Sequence, residues 1–140
     1  MIAQTATNSF IEQLFLGVHD FSTDTFKLAL YTAAANLNAD TTVYVTDGEV
    51  SGTGYTAGGI VLTGTTVAQA DGISYVDFAN AVWSPAAFTA RAALIYNSSK
   101  SNKAVAVLDF GSDKTATTTF TVQMPANTSS AALLRIRKGV

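Results

Sequence analysis

The feature that most restricts this chain is a series of short alternating runs, each cut by a turn signal before it can become a helix. Residues 25–32 place Phe26, Leu28 and Leu30 on one side and Lys27, Ala29 and Tyr31 on the other, the two-residue period of a strand with a buried face. Residues 59–68 and 73–78 are β-rich and flank Asp71-Gly72, a strong two-residue hairpin signal. Residues 89–97, 103–110, 117–124 and 132–138 repeat the pattern, and residues 43–45 offer a short extended piece. Polar turns at 97–102 and 111–114 separate them, and Ser84-Pro85 marks a bend. Helices do not alternate with these runs, which excludes a parallel α/β sheet. The pattern predicts a mainly β fold: an antiparallel β-sandwich or barrel of six to eight strands.

One helix precedes the strands. Ser9 and Glu12 stand at capping-box spacing, and Phe10, Ile11, Leu14, Phe15 and Val18 fall on one face, predicting a short N-terminal helix over 9–19 that packs on a sheet. Residues 1–7 are small and polar and read as a loose, extended arm. No linker or repeat divides the 140 residues, so residues 1–140 form a single domain on this reading. The N-terminus lacks the basic start and apolar core of a signal peptide, and no apolar run reaches the roughly 20 residues of a membrane span.

Charged residues make up 13% of the chain, against about a quarter in a typical domain. Thr, Ala, Ser and Gly take their place, which favours a surface partly covered by partners. The net charge of −2 argues against nucleic-acid binding, which needs a basic face. With no cysteine there is no disulfide, thiol nucleophile or Cys-based zinc site.

Five of the ten glycines (Gly52, Gly54, Gly58, Gly59, Gly64) crowd into residues 49–64, together with Tyr55 and the apolar run Ile60-Val61-Leu62. This reads as a shaped loop feeding a strand. It is not a phosphate cradle, because a P-loop lysine is missing and the following run is β-like rather than a helix N-terminus. The single histidine, His19, reads as a helix C-terminal residue placed on the dipole. The ten carboxylates lie mostly in turns, and none pairs at glycosidase spacing or follows a calcium-loop pattern. Asp47-Gly48-Glu49 reads as a plain turn. No catalytic, cofactor-binding or metal-binding residue is assigned, and the chain is not read as an enzyme.

Four segments together carry a resemblance: Asp24-Thr-Phe-Lys-Leu-Ala-Leu-Tyr-Thr, Glu49-Val-Ser-Gly-Thr-Gly-Tyr-Thr-Ala-Gly-Gly, Phe88-Thr-Ala-Arg91-Ala-Ala-Leu-Ile-Tyr96, and Asp109-Phe110-Gly111. In this order, behind an amphipathic helix, they resemble small structural proteins of tailed bacteriophages over almost the whole chain. Gly-Thr-Gly-Tyr-x-x-Gly-Gly is the most specific part. The resemblance implies a virion component of the capsid decoration, or cement, type, found on the capsid exterior and in the host cytoplasm before assembly. Its implied partners are the major capsid protein and further copies of itself, as a homotrimer, with no nucleic acid, membrane or cofactor. The expected contact elements are residues 1–7, the loop 50–55 and the C-terminal strand. Val50, Ser51, Thr53, Tyr55, Trp83, Arg135 and Arg137 are the candidate interface residues. A tail, adaptor or fibre component is the alternative within the virion. A carbohydrate-binding β-sandwich, presenting Trp83, Tyr55 and Tyr44, is the alternative outside it.

Overall fold

Alternation along residues 25–32 and 89–97 has a physical outcome: a sheet with apolar side chains on both faces, and therefore a core on both faces. The structure, a computed structural model, describes residues 1–140. In chain order the elements are β1 (Thr5–Ala6), α1 (Asn8–Phe15), β2 (Phe26–Tyr31), β3 (Ile60–Val61), β4 (Thr66–Ala70), β5 (Ile73–Asp77), β6 (Ala81–Trp83), β7 (Phe88–Asn97), β8 (Lys103–Ala116), β9 (Phe120–Val122) and β10 (Leu134–Arg137). They form a five-stranded sheet β1-β8-β7-β2-β3, a three-stranded sheet β10-β5-β4 and a two-stranded sheet β6-β9. Every pairing between these strands is antiparallel. The fold is the expected mainly β, sandwich-like one with a single short helix.

One face of the five-stranded sheet carries the larger core, which includes Phe26, Leu28, Leu30, Ile95 and Val105 and continues into Phe78, Trp83 and Phe120 of the opposing layer. The other face buries Ala29, Tyr31, Leu94 and Val107 against Leu37, with Ile2 and Tyr44 alongside. Leu28, Leu30, Leu94 and Ile95 have no exposed surface, and burial of each contributes about 2 kcal/mol of transfer free energy. The second core is closed by residues 1–3 and the irregular segment around Leu37 rather than by another sheet. Ile2 bridges Leu37, and the Ala3 N–H donates to the Leu37 carbonyl at 2.9 Å. The N-terminal arm is therefore extended but docked on its own chain, not loose.

Several boundaries differ from the sequence pattern, each for a local reason. The helix is capped by Thr7, whose Oγ1 accepts from the Phe10 N–H, and not by Asn8 or Ser9. It stops at Phe15 because the Gly17 and Val18 N–H groups turn back onto the Leu14 and Gln13 carbonyls, a Schellman closure. The run 59–68 divides into β3 and β4, which belong to different sheets, with Gly64 in a left-handed turn between them. The turn expected at 111–114 is instead a bulge inside β8: the register steps from Ala92↔Asp109 to Ala90↔Lys114. The run 117–124 contributes only β9. Val43 makes an isolated bridge to Lys103. The strands thus number ten, several of them two or three residues long. Asp71 and Gly72 both take positive φ, as a type I′ hairpin requires, and set Ala70 opposite Ile73. No helix is long and apolar enough to cross a membrane.

Candidate functional site

The glycine-rich loop leaves the edge of β2 after Val50 and returns at Ile60. While it is away, the β2 edge would lose its hydrogen-bond partners. The Val50 N–H still donates to the Leu30 carbonyl, and β3 pairs with Lys27 and Leu28. Between them the Leu30 N–H is left without a backbone acceptor, and the Tyr55 hydroxyl takes it at 2.9 Å. A buried, unpartnered N–H costs about 1–3 kcal/mol, so Tyr55 completes the sheet from within the loop. The Tyr55 hydroxyl in turn donates to Glu49 Oε1 at 2.6 Å. Gly58 N–H donates to the same oxygen at 2.7 Å, and the Tyr44 hydroxyl to Oε2 at 2.6 Å. Those hydroxyl distances are in the range of charge-assisted bonds to a carboxylate. Tyr96 donates to the Gly58 carbonyl at 2.7 Å and stacks on Tyr44 with ring centroids 4.9 Å apart.

Burial first, and then the bond to Glu49, pushes the Tyr55 and Tyr44 hydroxyls far above their ordinary value, so both remain donors. Burial does the same to Tyr31, which donates to the Val45 carbonyl at 2.6 Å. Glu49 is therefore a hub for donors. It is more than a bare turn residue, because two hydroxyls and one backbone N–H converge on its carboxylate.

The glycines make this knot possible through close approach. A Cβ at Gly59 would lie 1.8 Å from the Leu28 carbonyl oxygen, and one at Gly54 would lie 1.9 Å from that of Pro85. Both have positive φ. The loop is pressed onto the β2 backbone at one end and onto the turn before β7 at the other, where the Ala87 N–H donates to the Thr53 carbonyl at 3.0 Å. The Tyr55 ring packs among Trp83 and Phe88.

These placements revise the candidate interface. Val50 and Trp83 are 4% and 3% exposed, so neither side chain is presented to a partner or to a glycan. Tyr55 is half-buried with both its ring and its hydroxyl engaged, and Tyr44 is held by Glu49 and Tyr96. Ser51 and Thr53 are exposed on the outer surface of the loop. Arg135 and Arg137 are exposed on β10, well separated in sequence from that loop.

His19 also differs from its sequence reading. It lies beyond the helix end and is buried. Its Nδ1 accepts from the Asn97 amide at 3.0 Å, and its Nε2 donates to Gln13 Oε1 at 2.8 Å. Asn97 also donates to Asp24 Oδ2, and Lys100 pairs with Asp24 at 3.6 Å. Burial holds the His19 ring below its ordinary value, Lys103 and Lys100 add to this, and Asp24 opposes it.

The four segments that carry the resemblance meet through these contacts. Tyr55 holds Leu30 and is itself held by Glu49, Tyr96 holds Gly58, Asn97 just beyond the third segment holds Asp24, and Arg91 pairs with Asp109 at 3.2 Å across the β8 bulge. Sequence reasoning missed Glu49, Gly58 and Tyr96 as partners because no periodicity links them; the density of glycines was the only hint.

A second feature lies at the far side of the molecule. A groove of about 970 Å³ runs between α1, β1 and β8 on one wall and β5 and β10 on the other, and most of its lining is apolar. At the end of the same helix, Phe15 and Leu16 are 92% and 69% exposed. The loop and the groove have to be understood from these residues themselves, since no protein-family model, curated protein or solved structure matches the chain.

Proposed function

We propose that this chain is a non-enzymatic virion protein of a tailed phage that decorates the capsid exterior and stabilises it by binding across neighbouring shell subunits, as a homotrimer. The observation that carries the reading is the use made of the resembling segments. Their polar residues bond to one another and their glycines press against backbone, so they build a rigid scaffold. Such a scaffold suits a protein whose work is to hold a fixed shape against other subunits. The charge-poor composition and the exposed Phe15 and Leu16 add surface suited to burial in an assembly. Many modest contacts acting together then give an avidity beyond that of any one contact.

The test compares virions assembled with and without the protein. Lower resistance to heat or internal pressure without it is the expected result, and unchanged resistance overturns the cement role. Labelling the protein in imaged virions is the second measurement. Density distributed over the shell is expected, whereas label confined to the tail assigns it to the tail, adaptor or fibre instead.

A further inference from the structure

We infer that the groove between α1 and the β5–β10 pair is a docking slot for an extended protein segment in which apolar residues alternate with Asp or Glu. Apolarity comes first. Ile11 and Leu14 of α1, Leu108 and Phe110 of β8, and Leu134 and Ile136 of β10 all border the groove. Phe15 and Leu16 follow Leu14 at the helix end and are exposed. An apolar concavity of this size is the kind of surface that takes a ligand or a partner segment.

An unpaired strand edge borders the same space. β10 ends the three-stranded sheet and its residues border the groove, whereas the chain on either side of the two-residue β1 bonds to residues 37–39. A terminal strand offers a row of free N–H and C=O groups, and an extended segment can add to it as a further strand. Alternate side chains of that segment then point to opposite sides, one set into the groove and the other towards its rim.

Charge selects the occupant. Arg135, Arg137 and Lys138 stand within four residues on and beside β10. The structure contains two ion pairs, Arg91–Asp109 and Lys100–Asp24, so none of these three cations has a carboxylate partner. Arg135 bonds only to the Ser130 carbonyl, and Asp109, which borders the opposite wall, is taken by Arg91. An acidic segment matches this rim. A second copy pairing β10 against β10 would bring Arg135 and Arg137 of both chains together, and like charges across strands destabilise. Residues 1–7 contain no acid and are already docked. The inference goes beyond the decoration reading and does not rest on it, since it holds for whichever assembly supplies the segment.

The test titrates labelled peptides into the purified protein: Glu-Val-Glu-Ile-Glu-Val-Glu, the same sequence with Lys for Glu, and each in the opposite alternation register. The acidic peptides are expected to bind at least about tenfold tighter than the basic ones, a difference of ~1.4 kcal/mol, and to weaken with added salt. They are also expected to slow amide exchange along β10. The double variant R135E/R137E, at exposed positions, is expected to keep its thermal midpoint and reverse the preference. Equal binding of both peptide types, or binding of neither, overturns the inference. A concentration-dependent dimer abolished by the double variant assigns the groove to a second copy. Binding of a fatty-acid probe without binding of any peptide assigns it to a lipid.

Discussion

The edges of this molecule's sheets are finished in two different ways. Beyond β2 the edge is closed by the chain itself: β3 takes one half, the residues at Val50 take the other, and the Tyr55 hydroxyl fills the gap at Leu30. Beyond β10 the edge stays open and borders an apolar groove. The closed side spends its side chains on itself. Glu49, Tyr44, Tyr55 and Tyr96 are all engaged, and its glycines touch backbone. The open side leaves Phe15, Leu16 and Ile136 in solvent and its arginines without counter-charges. Rigidity and adhesiveness are thus located in different regions, because a side chain already bonded within the fold has little left to offer a partner.

This contrast can be broken most severely at Gly59. Gly59→Ala forces a Cβ into the Leu28 carbonyl at a residue with positive φ, and is expected to cost about 4 kcal/mol or more of stability in chemical denaturation. A loss below about 1 kcal/mol would mean the loop is free to move away from β2. Next in size, Glu49→Ala strands two tyrosine hydroxyls and the Gly58 N–H, and about 3 kcal/mol is expected. Tyr55→Phe leaves the Leu30 N–H unpartnered and removes one donor from Glu49, for about 2 kcal/mol. Combining the last two changes sharpens the picture: a double variant less destabilised than the sum shows that Tyr55 acts partly through Glu49.

At the end of β7, where Asn97 holds His19, acid is the probe. The folded-state value of His19 is held below the ordinary 6.5, by burial first. The unfolded chain therefore takes up the proton at higher pH than the folded one does. The contribution of His19 is full above about 6.5 and is lost as pH falls below that value. Protonation at Nδ1 also opposes the Asn97 N–H it now accepts. Denaturation midpoints measured from pH 7 to pH 5 are expected to fall in the native chain and to flatten in His19→Gln. An equal slope in both would remove His19 from the account. The smallest effect is expected at Phe15→Ser, where the side chain is almost fully exposed: stability within about 0.5 kcal/mol of the native chain. A large loss there would show that the helix end is part of the core.

The fold class was legible because alternation is a local signal. Phe26, Leu28 and Leu30 declare one buried face whatever lies opposite, and Asp71-Gly72 declares its turn by backbone preference alone. The helix was legible in position but not in length, since its end depends on a Schellman closure at Gly17. The docked arm was not legible, because what Ile2 finds at Leu37 lies 35 residues away along the chain. At the candidate sites, Arg135 and Arg137 are exposed, but so is Ile136 between them, so β10 does not show the two-faced burial its alternation predicts. The burial of Trp83 follows the ordinary preference of a large aromatic for the core, whereas that of Val50 depends on which way a β-branched residue next to a loop faces.

By itself, then, the sequence determined the alternating faces, the turns, the charge-poor surface and the density of glycine in one loop. All of these follow from preferences acting over a few residues. The tertiary structure alone decided that Glu49 would gather Tyr44, Tyr55 and Gly58, that Tyr55 would complete the β2 edge, and that β10 would leave its own open. Those outcomes depend on which distant backbone groups remain unpaired once the sheets have formed, and that is settled only when the layers pack.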